Sequence, residues 1–196
     1  MRLTFLRHVI AVMLLPCALT GCGDAKHSNT ATASKTAAPA SPTATLPTAN
    51  EDTRAQQARG EALGAYFGLM GDWQAGLASP DNQVGDLLSR HATGQALTLV
   101  TDDIQRSRRE GIVAKGKLMI SPTVTKLDLN ATPPVAQVDD CADTSNFRDY
   151  HLSDGSPVVR NNGSPGGLQH FLAHVREEGG VWRVYDLHFY TAGSCR

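Results

Sequence analysis

The stretch from Gly23 to Asn50 most constrains what this chain can fold into, because it offers almost nothing to a hydrophobic core. Ala, Thr, Ser and Pro make up 20 of its 28 residues, Leu46 is its only large aliphatic residue, and it has no aromatic residue. Such a composition cannot bury enough apolar surface to offset the entropy of ordering the chain. The sequence therefore predicts a disordered tether over residues 22–50 and a single folded domain over residues 51–196.

The residues before the tether are built like a secretory signal. Arg2 and Arg7 lie in a short charged start, and the eleven residues from Val9 to Leu19 are almost wholly apolar. That run is well short of the ~20 residues that a bilayer-spanning helix needs. A signal peptide is therefore predicted over residues 1–21, rather than a transmembrane anchor.

The signal ends on Leu19-Thr20-Gly21-Cys22. This motif resembles the bacterial lipobox, in which the cysteine is lipidated and begins the mature protein. The resemblance implies that Cys22 carries at least two acyl chains, such as palmitate, and two chains hold a protein firmly at a membrane. The expected location is the outer face of the cell membrane, lipid-anchored and extracytoplasmic. A signal peptide cut elsewhere, with Cys22 an ordinary cysteine, is the alternative.

Two cysteines remain once Cys17 leaves with the signal and Cys22 is lipidated. They are Cys141 and Cys195. An even pair in an oxidising compartment indicates a disulfide. A reactive thiol or a metal ligand is the alternative, but neither cysteine has a second cysteine or a histidine at metal-ligand spacing. A structural disulfide between the two is predicted.

The charge of the domain restricts its partners. Residues 51–196 contain 14 Lys+Arg and 18 Asp+Glu, a net charge of −4 with His neutral. A mildly acidic domain without a basic stripe argues against binding to nucleic acid and against a polybasic membrane-binding face. The expected partners are the membrane, through lipidated Cys22, and a small apolar ligand or an envelope protein. A homodimer is left open.

The domain divides into a helical half and a strand half. Residues from Asp52 to Gly76 repeat small and apolar side chains at three- and four-residue steps, which predicts a long first helix. A short helix is predicted over Val84–His91, and a third from the cap Thr93 to Arg109 or Glu110, with Gly111 as its stop. Alternation after Gly111 then predicts strands, with Asp143–Tyr150 a loop or a short strand. The strands are Ile112–Ile120, Val124–Asn130, Val135–Cys141, Leu168–Arg176 and Val181–Ala192.

Helices followed by long antiparallel strands predict an α+β fold, with two or three N-terminal helices packed in a curved antiparallel sheet. The layout resembles the nuclear-transport-factor-2-like cone, also described as cystatin-like or SnoaL-like. In that cone the sheet wraps around the first helix and leaves a pocket. Residues 66–73, 91–97, 138–143 and 180–184, with the near-terminal Cys195, resemble secreted and lipid-anchored actinobacterial proteins of unassigned function. The resemblance implies a fold and a location rather than an activity.

A cone pocket would be lined by apolar and aromatic side chains, which are the usual walls of a ligand site. The candidate wall residues are Tyr66, Phe67, Trp73, Phe171, Trp182 and Tyr185, although strand alternation lets only some of them face inward. The chain is therefore expected to be a non-enzymatic lipoprotein that binds a small apolar ligand or a protein partner. An assembly module of a secretion, conjugation or cell-wall complex is an alternative, because cone folds often dimerise through the outer sheet face.

An isomerase- or hydrolase-like enzyme is a further alternative. Ketosteroid isomerases and epoxide hydrolases, which the fold resembles, place a carboxylate base and a hydroxyl donor in an apolar pocket. Tyr66 is the candidate donor, and Asp139 or Asp186 is the candidate base. None of the three lies in a catalytic motif of those families. The competing interpretation treats Tyr66 as a core aromatic and both aspartates as solvated, so no catalytic residue is predicted.

Histidines on the last two predicted strands are the candidates for a metal site. His170 and His174 lie ~13 Å apart along an extended strand, which is too far to share one metal ion. His188 could approach either of them from the partner strand, and the best grouping is His170 with His188 and with Asp186 nearby. Solvated strand histidines are the commoner case, so the sequence predicts neither a metal site nor a cofactor.

Overall fold

The structure, a computed structural model, describes residues 49–79, 85–159 and 166–195. These residues all belong to the second of the two units into which the chain divides, Thr45–Arg196. The signal peptide, Cys22 and the tether as far as residue 48 lie outside the described residues, so those assignments stay predictions. Within the described ranges, no helix is long and apolar enough to cross a bilayer.

Within the described residues, three helices come first: α1 (Ala49–Ala78), α2 (Gly85–His91) and α3 (Gly94–Glu110). All three were predicted, although α1 begins three residues earlier than expected, inside the predicted tether. Helix α3 stops at Gly111, whose φ of 65° is left-handed and favours glycine. The Gly111 N–H donates to backbone oxygens of the last turn and so satisfies carbonyls that would otherwise lack partners.

Six strands follow: β1 (Ile112–Lys115), β2 (Thr123–Asp128), β3 (Val135–Asp143), β4 (Arg148–His151), β5 (Leu168–Glu178) and β6 (Val181–Ala192). Strands β2, β3, β5 and β6 form a four-stranded sheet in that order, and β1 pairs with β4 in a second sheet. Every pairing between these strands is antiparallel. The predicted α+β class, with helices first and antiparallel sheets after them, is confirmed.

The predicted strand over Ile112–Ile120 is wrong beyond Lys115. The chain turns at Gly116, whose φ is 89°, and a Cβ there would lie 1.7 Å from the carbonyl oxygen of Asn146. Glycine is the residue that tolerates both the positive φ and the close approach. As a result β1 ends after four residues and pairs with β4, in the region that the sequence left open as a loop or a short strand.

Helix α1 packs against the larger sheet and forms the centre of the core. Its buried side chains recur every three or four residues, as an amphipathic helix requires: Ala58, Ala62, Ala65, Tyr66, Leu69, Met70, Trp73 and Leu77. The sheet contributes inward-facing residues from alternate strand positions, among them Ala136, Val138, Ala173, Val175, Val184 and Leu187. The three- and four-residue repeat that predicted the helix therefore corresponds to the face of α1 that is buried.

Two connections hold the edge strand β6 in place. Gln95 on α3 donates from Nε2 to the Leu187 carbonyl (3.2 Å), and its Oε1 accepts the Leu187 N–H (2.8 Å). Cys141 on β3 and Cys195 after β6 form a disulfide-capable pair, with their Cα atoms 5.7 Å apart, inside the range that a disulfide spans. The two hydrogen bonds from Gln95 occupy backbone groups of Leu187 that an edge strand otherwise leaves unpaired.

Candidate functional site: the packed interior and the outer sheet face

Four of the six aromatic residues predicted to line a pocket are packed in the core, and one of them, Trp182, also borders a surface cleft. Tyr66, Trp73, Phe171 and Trp182 are each at most 8% exposed. The Trp73 ring stacks on Phe189 with 5.0 Å between ring centroids. These four aromatic residues thus face inward, where they pack against neighbouring side chains.

The other two predicted wall residues do not line the interior. Phe67 is 47% exposed, because it is one residue beyond Tyr66 on α1 and so points about 100° away from it around the helix. Tyr185 lies on the outer face of the sheet, where its ring contacts His174 at 6.1 Å and the Arg176 guanidinium at 4.8 Å. A register shift beside His174 disturbs regular alternation at this point of β6.

The space between α1 and the sheet is filled by side chains. Residues at 0% exposure lie on both sides of it, including Leu69 and Met70 on α1 and Val138, Val175 and Leu187 on the sheet. A side chain without accessible surface touches no water-sized void. At these residues the pocket that the cone resemblance implies is therefore closed by packing.

Asp140 on β3 is a buried carboxylate in this interior, only 2% exposed. Its Oδ2 accepts a hydrogen bond from the Tyr66 hydroxyl (2.8 Å), and its Oδ1 accepts one from the Ser121 backbone N–H (2.8 Å). Burial raises the pKa of Tyr66 far above its ordinary value, and the charge of Asp140 and the hydrogen bond to it act in the same direction. The hydroxyl therefore stays protonated and keeps donating to the carboxylate.

The enzyme alternative named Asp139 or Asp186 as the base, but neither of them is the partner of Tyr66. Asp139 and Asp186, the candidate bases, both lie on the outer face, and Asp140 takes the interior position. The signal for it was present in β3, where Ala136 and Val138 alternate with polar residues. Asp140 follows Val138 by two positions and therefore shares its face.

The Tyr66–Asp140 pair has the two groups that the enzyme alternative requires, a hydroxyl and a desolvated carboxylate within hydrogen-bond reach. However, Tyr66 is 0% exposed and Asp140 is bonded on both oxygens. A reacting substrate needs accessible surface beside the base and the donor. The pair fits a structural link between α1 and β3.

The outer face of the sheet carries a second set of ionisable groups, beginning with Asp139. This carboxylate accepts hydrogen bonds from Thr125 and from Gln137 Nε2 (2.8 Å), and His170 Nε2 lies 2.9 Å from its Oδ1. Burial alone would raise the pKa of Asp139, but these hydrogen bonds and the charge of His170 outweigh burial and hold the pKa below its usual value. The His170 ring also stacks on Tyr190 at 4.9 Å.

Asp186 holds two histidines on the same face. Its Oδ2 lies 3.0 Å from His174 Nδ1 and 3.0 Å from His188 Nε2, and the three candidate ligand atoms lie within 4.8 Å of one another. Burial would raise the pKa of Asp186, but the two hydrogen bonds and the imidazole charges outweigh it, so the pKa is lowered.

The grouping that the sequence favoured, with His170 in place of His174, is wrong. Strand pairing places Asp186 directly opposite His174, whereas His170 lies beside β3 and contacts Asp139. Strand pairing could not be derived from spacing along one strand alone.

The surface of the described part of the chain has clefts, and two of them have volumes near 300 Å³. One, of about 300 Å³, lies between α2 and α3, and Leu88, Ile104 and Arg108 contribute to its lining. The other, of about 320 Å³, lies where His91 and Trp182 approach the middle of α1. Of the six predicted pocket residues, only Trp182 lines either cleft.

No known family profile matches the chain, and no curated protein matches its sequence. Among solved structures, the chain is similar to the crystal structure of the intermembrane space region of chloroplast protein ARC6, with 17% sequence identity and a TM-score of 0.38. The likeness covers 63% of this chain and 92% of that one. Similarity at this level carries no conclusion about function.

Proposed function

We propose that this protein is a lipid-anchored envelope lipoprotein whose domain binds a protein partner at its surface and is not an enzyme. The observation that carries the binding part of the proposal is the filled interior. Leu69 and Met70 on α1 face Val138 and Leu187 on the sheet, and all four are 0% exposed. Recognition is therefore assigned to the surface, and a small apolar ligand inside the fold becomes the less favoured alternative.

The anchoring part of the proposal rests on the sequence. Leu19-Thr20-Gly21-Cys22 ends an apolar segment too short to span a bilayer, and 26 residues separate Cys22 from the start of α1 at Ala49. As a flexible coil these residues would extend about 30 Å root-mean-square. The same proposal places the domain among the SnoaL-like cones of actinobacterial lipoproteins.

The character of the outer sheet face favours a polar partner. Asp139, His170, His174, Asp186 and His188 all reach this face, and each of them is at least partly exposed. An assembly module would share the filled interior, and an exposed apolar sheet face would favour it, but ionisable groups lie on this face. A homodimer through this face stays open as one form of the partner.

Membrane fractionation tests the anchor. The full chain and Cys17→Ser are expected to sediment with membranes and to carry the mass of a diacylglyceryl group, because Cys17 precedes the cleavage point. Cys22→Ser should lose that mass and should either be released or keep its signal peptide. Cys17→Ser is the matched control, because Cys17 lies in the same N-terminal segment as Cys22. Lipid retained by Cys22→Ser would overturn the anchor.

Site-specific photo-crosslinking tests the binding surface. A photoreactive residue in place of Tyr190, on the outer face, should give a discrete adduct in intact cells. The same residue in place of Leu152, which is also exposed but follows β4 of the smaller sheet, is the control and should not give that adduct. Identical adducts at both positions, or none at Tyr190, would contradict the surface assignment. Native mass spectrometry of the same protein reports any bound small molecule or dimer, and a stoichiometric apolar ligand would favour the ligand alternative.

A further inference from the structure

We propose that His174, Asp186 and His188 form a binding site for a first-row transition-metal dication such as Zn²⁺. The three residues lie together on the outer face of β5 and β6, where both histidines converge on one carboxylate oxygen. Two imidazole nitrogens and a carboxylate oxygen are donors that Zn²⁺, Ni²⁺ and Cu²⁺ accept. This inference does not depend on membrane anchoring or on a protein partner.

The distances between the donor atoms are close to those that a metal ion needs. Bonds of ~2.0–2.2 Å to nitrogen and oxygen place two ligands of a tetrahedral metal ~3.4 Å apart. Each histidine nitrogen lies 3.0 Å from Asp186 Oδ2, and no pair of the three atoms is more than 4.8 Å apart. The two nitrogens need to approach by ~1.4 Å at most. The His188 side chain is 49% exposed, which gives its ring room to turn.

Strand geometry explains why the three side chains meet. Asp186 lies directly opposite His174 in the β5–β6 pairing, and directly paired residues have Cβ atoms ~5 Å apart. His188 follows Asp186 by two residues and therefore points to the same side of β6. All three donors are thus carried by paired strands rather than by loops, and Asp186 already holds both rings in place.

The charge of Arg176, a cationic side chain on the same part of the sheet, is compensated. Arg176 lies over the Tyr185 ring, which in turn lies beside His174. Arg176 is neutralised by an ion pair with Glu178 at 2.6 Å. Three protein donors leave at least one coordination position for water, as in an open rather than a closed metal site.

Calorimetric titration with Zn²⁺ tests the site, using the chelator-treated full chain in detergent micelles. Wild type should bind one Zn²⁺ saturably, and His174→Gln, His188→Gln and Asp186→Asn should each weaken binding more than about tenfold. His170→Gln is the matched control: it removes a histidine of the same face that is paired with Asp139, and its affinity should stay within about twofold. Binding of Co²⁺ should give visible absorption bands that Zn²⁺ abolishes.

The proposal has clear failure outcomes. Absence of saturable Zn²⁺ binding by the wild type would overturn it. So would His170→Gln weakening binding as much as His174→Gln does, because the metal would then be held by exposed histidines generally. Asp186→Asn preserves side-chain shape, and an unchanged circular dichroism spectrum for this variant shows that lost binding reflects lost coordination.

Discussion

The hydrogen bond between Tyr66 and Asp140 ties helix α1 to strand β3, and Tyr66→Phe removes it with little change in volume. The substitution deletes the hydroxyl that donates to Asp140 Oδ2 at 2.8 Å. The carboxylate, 2% exposed, then keeps only the Ser121 N–H on its other oxygen. A carboxylate that is almost fully buried thus loses one of its two hydrogen bonds.

The expected cost follows from the value of such bonds. A hydrogen bond to a charged group contributes about 1.5–3 kcal/mol to stability, so Tyr66→Phe should lower the free energy of unfolding by about 2 kcal/mol. At a urea dependence of about 2 kcal/mol per molar, the midpoint falls by about 1 M. Asp140→Asn should also destabilise, and the double variant should cost less than the sum of the two by about 0.5–3 kcal/mol.

Urea unfolding followed by circular dichroism measures these differences. Tyr190→Phe is the control, because it removes a tyrosine hydroxyl from an exposed side chain and should change stability by no more than about 0.5 kcal/mol. Equal midpoints for Tyr66→Phe and Tyr190→Phe would refute the reasoning. Additive effects in the double variant would show that the two side chains do not stabilise the fold as a pair.

Further outcomes, all measured by urea unfolding, are expected for variants at Cys141, at two glycines of α1 and at Asp139. Cys141→Ser should lower the free energy of unfolding by about 4 kcal/mol, because the disulfide with Cys195 closes a loop with a separation of 54 residues. Chemical reduction of the wild type should lower the free energy of unfolding by the same amount. A smaller effect of reduction than of the substitution would contradict the pairing. Gly71→Ala should stabilise by up to about 1 kcal/mol, since a Cβ there meets nothing within 4 Å. Gly68→Ala should lower the free energy of unfolding instead, because the added Cβ would lie 2.5 Å from the His91 ring. Equal changes in the two glycine variants would contradict that contact. The pKa of Asp139 lies below its usual value, so the ionised carboxylate stabilises the folded state above about pH 4. This stabilisation is lost as the pH falls through the folded-state pKa. The stability gap between wild type and Asp139→Asn should narrow below about pH 4, and a gap that is constant with pH would show that the carboxylate charge does not contribute.

Periodicity predicted most of the helices and strands, because it depends only on residues that lie close together in the sequence. The three- and four-residue spacing of α1 and the two-residue spacing of β6 reflect which side of each element faces apolar surface. The end of α3 was equally local, since Gly111 supplies the left-handed turn that stops a helix. The prediction of a strand beyond Lys115 was wrong, because the chain turns at Gly116, where it closely approaches Asn146, thirty residues away.

The candidate site shows the same division. Alternation in β3 was sufficient to assign Asp140 to the inner face and Asp139 to the outer face, although the hydroxyl that Asp140 binds comes from α1. The grouping of His174 with Asp186 required the register of β5 against β6. Register depends on the turn and on the fit of the whole buried face, and spacing within one strand does not contain it.

By itself, the sequence determined that helices precede strands and where most of these helices and strands lie. These properties follow from composition and from local periodicity. Tertiary structure alone decided that the space between α1 and the sheet is filled, that Tyr66 meets Asp140, and that two histidines share Asp186. Each of these depends on contacts between residues distant in the chain, whose geometry is set when all the elements pack together.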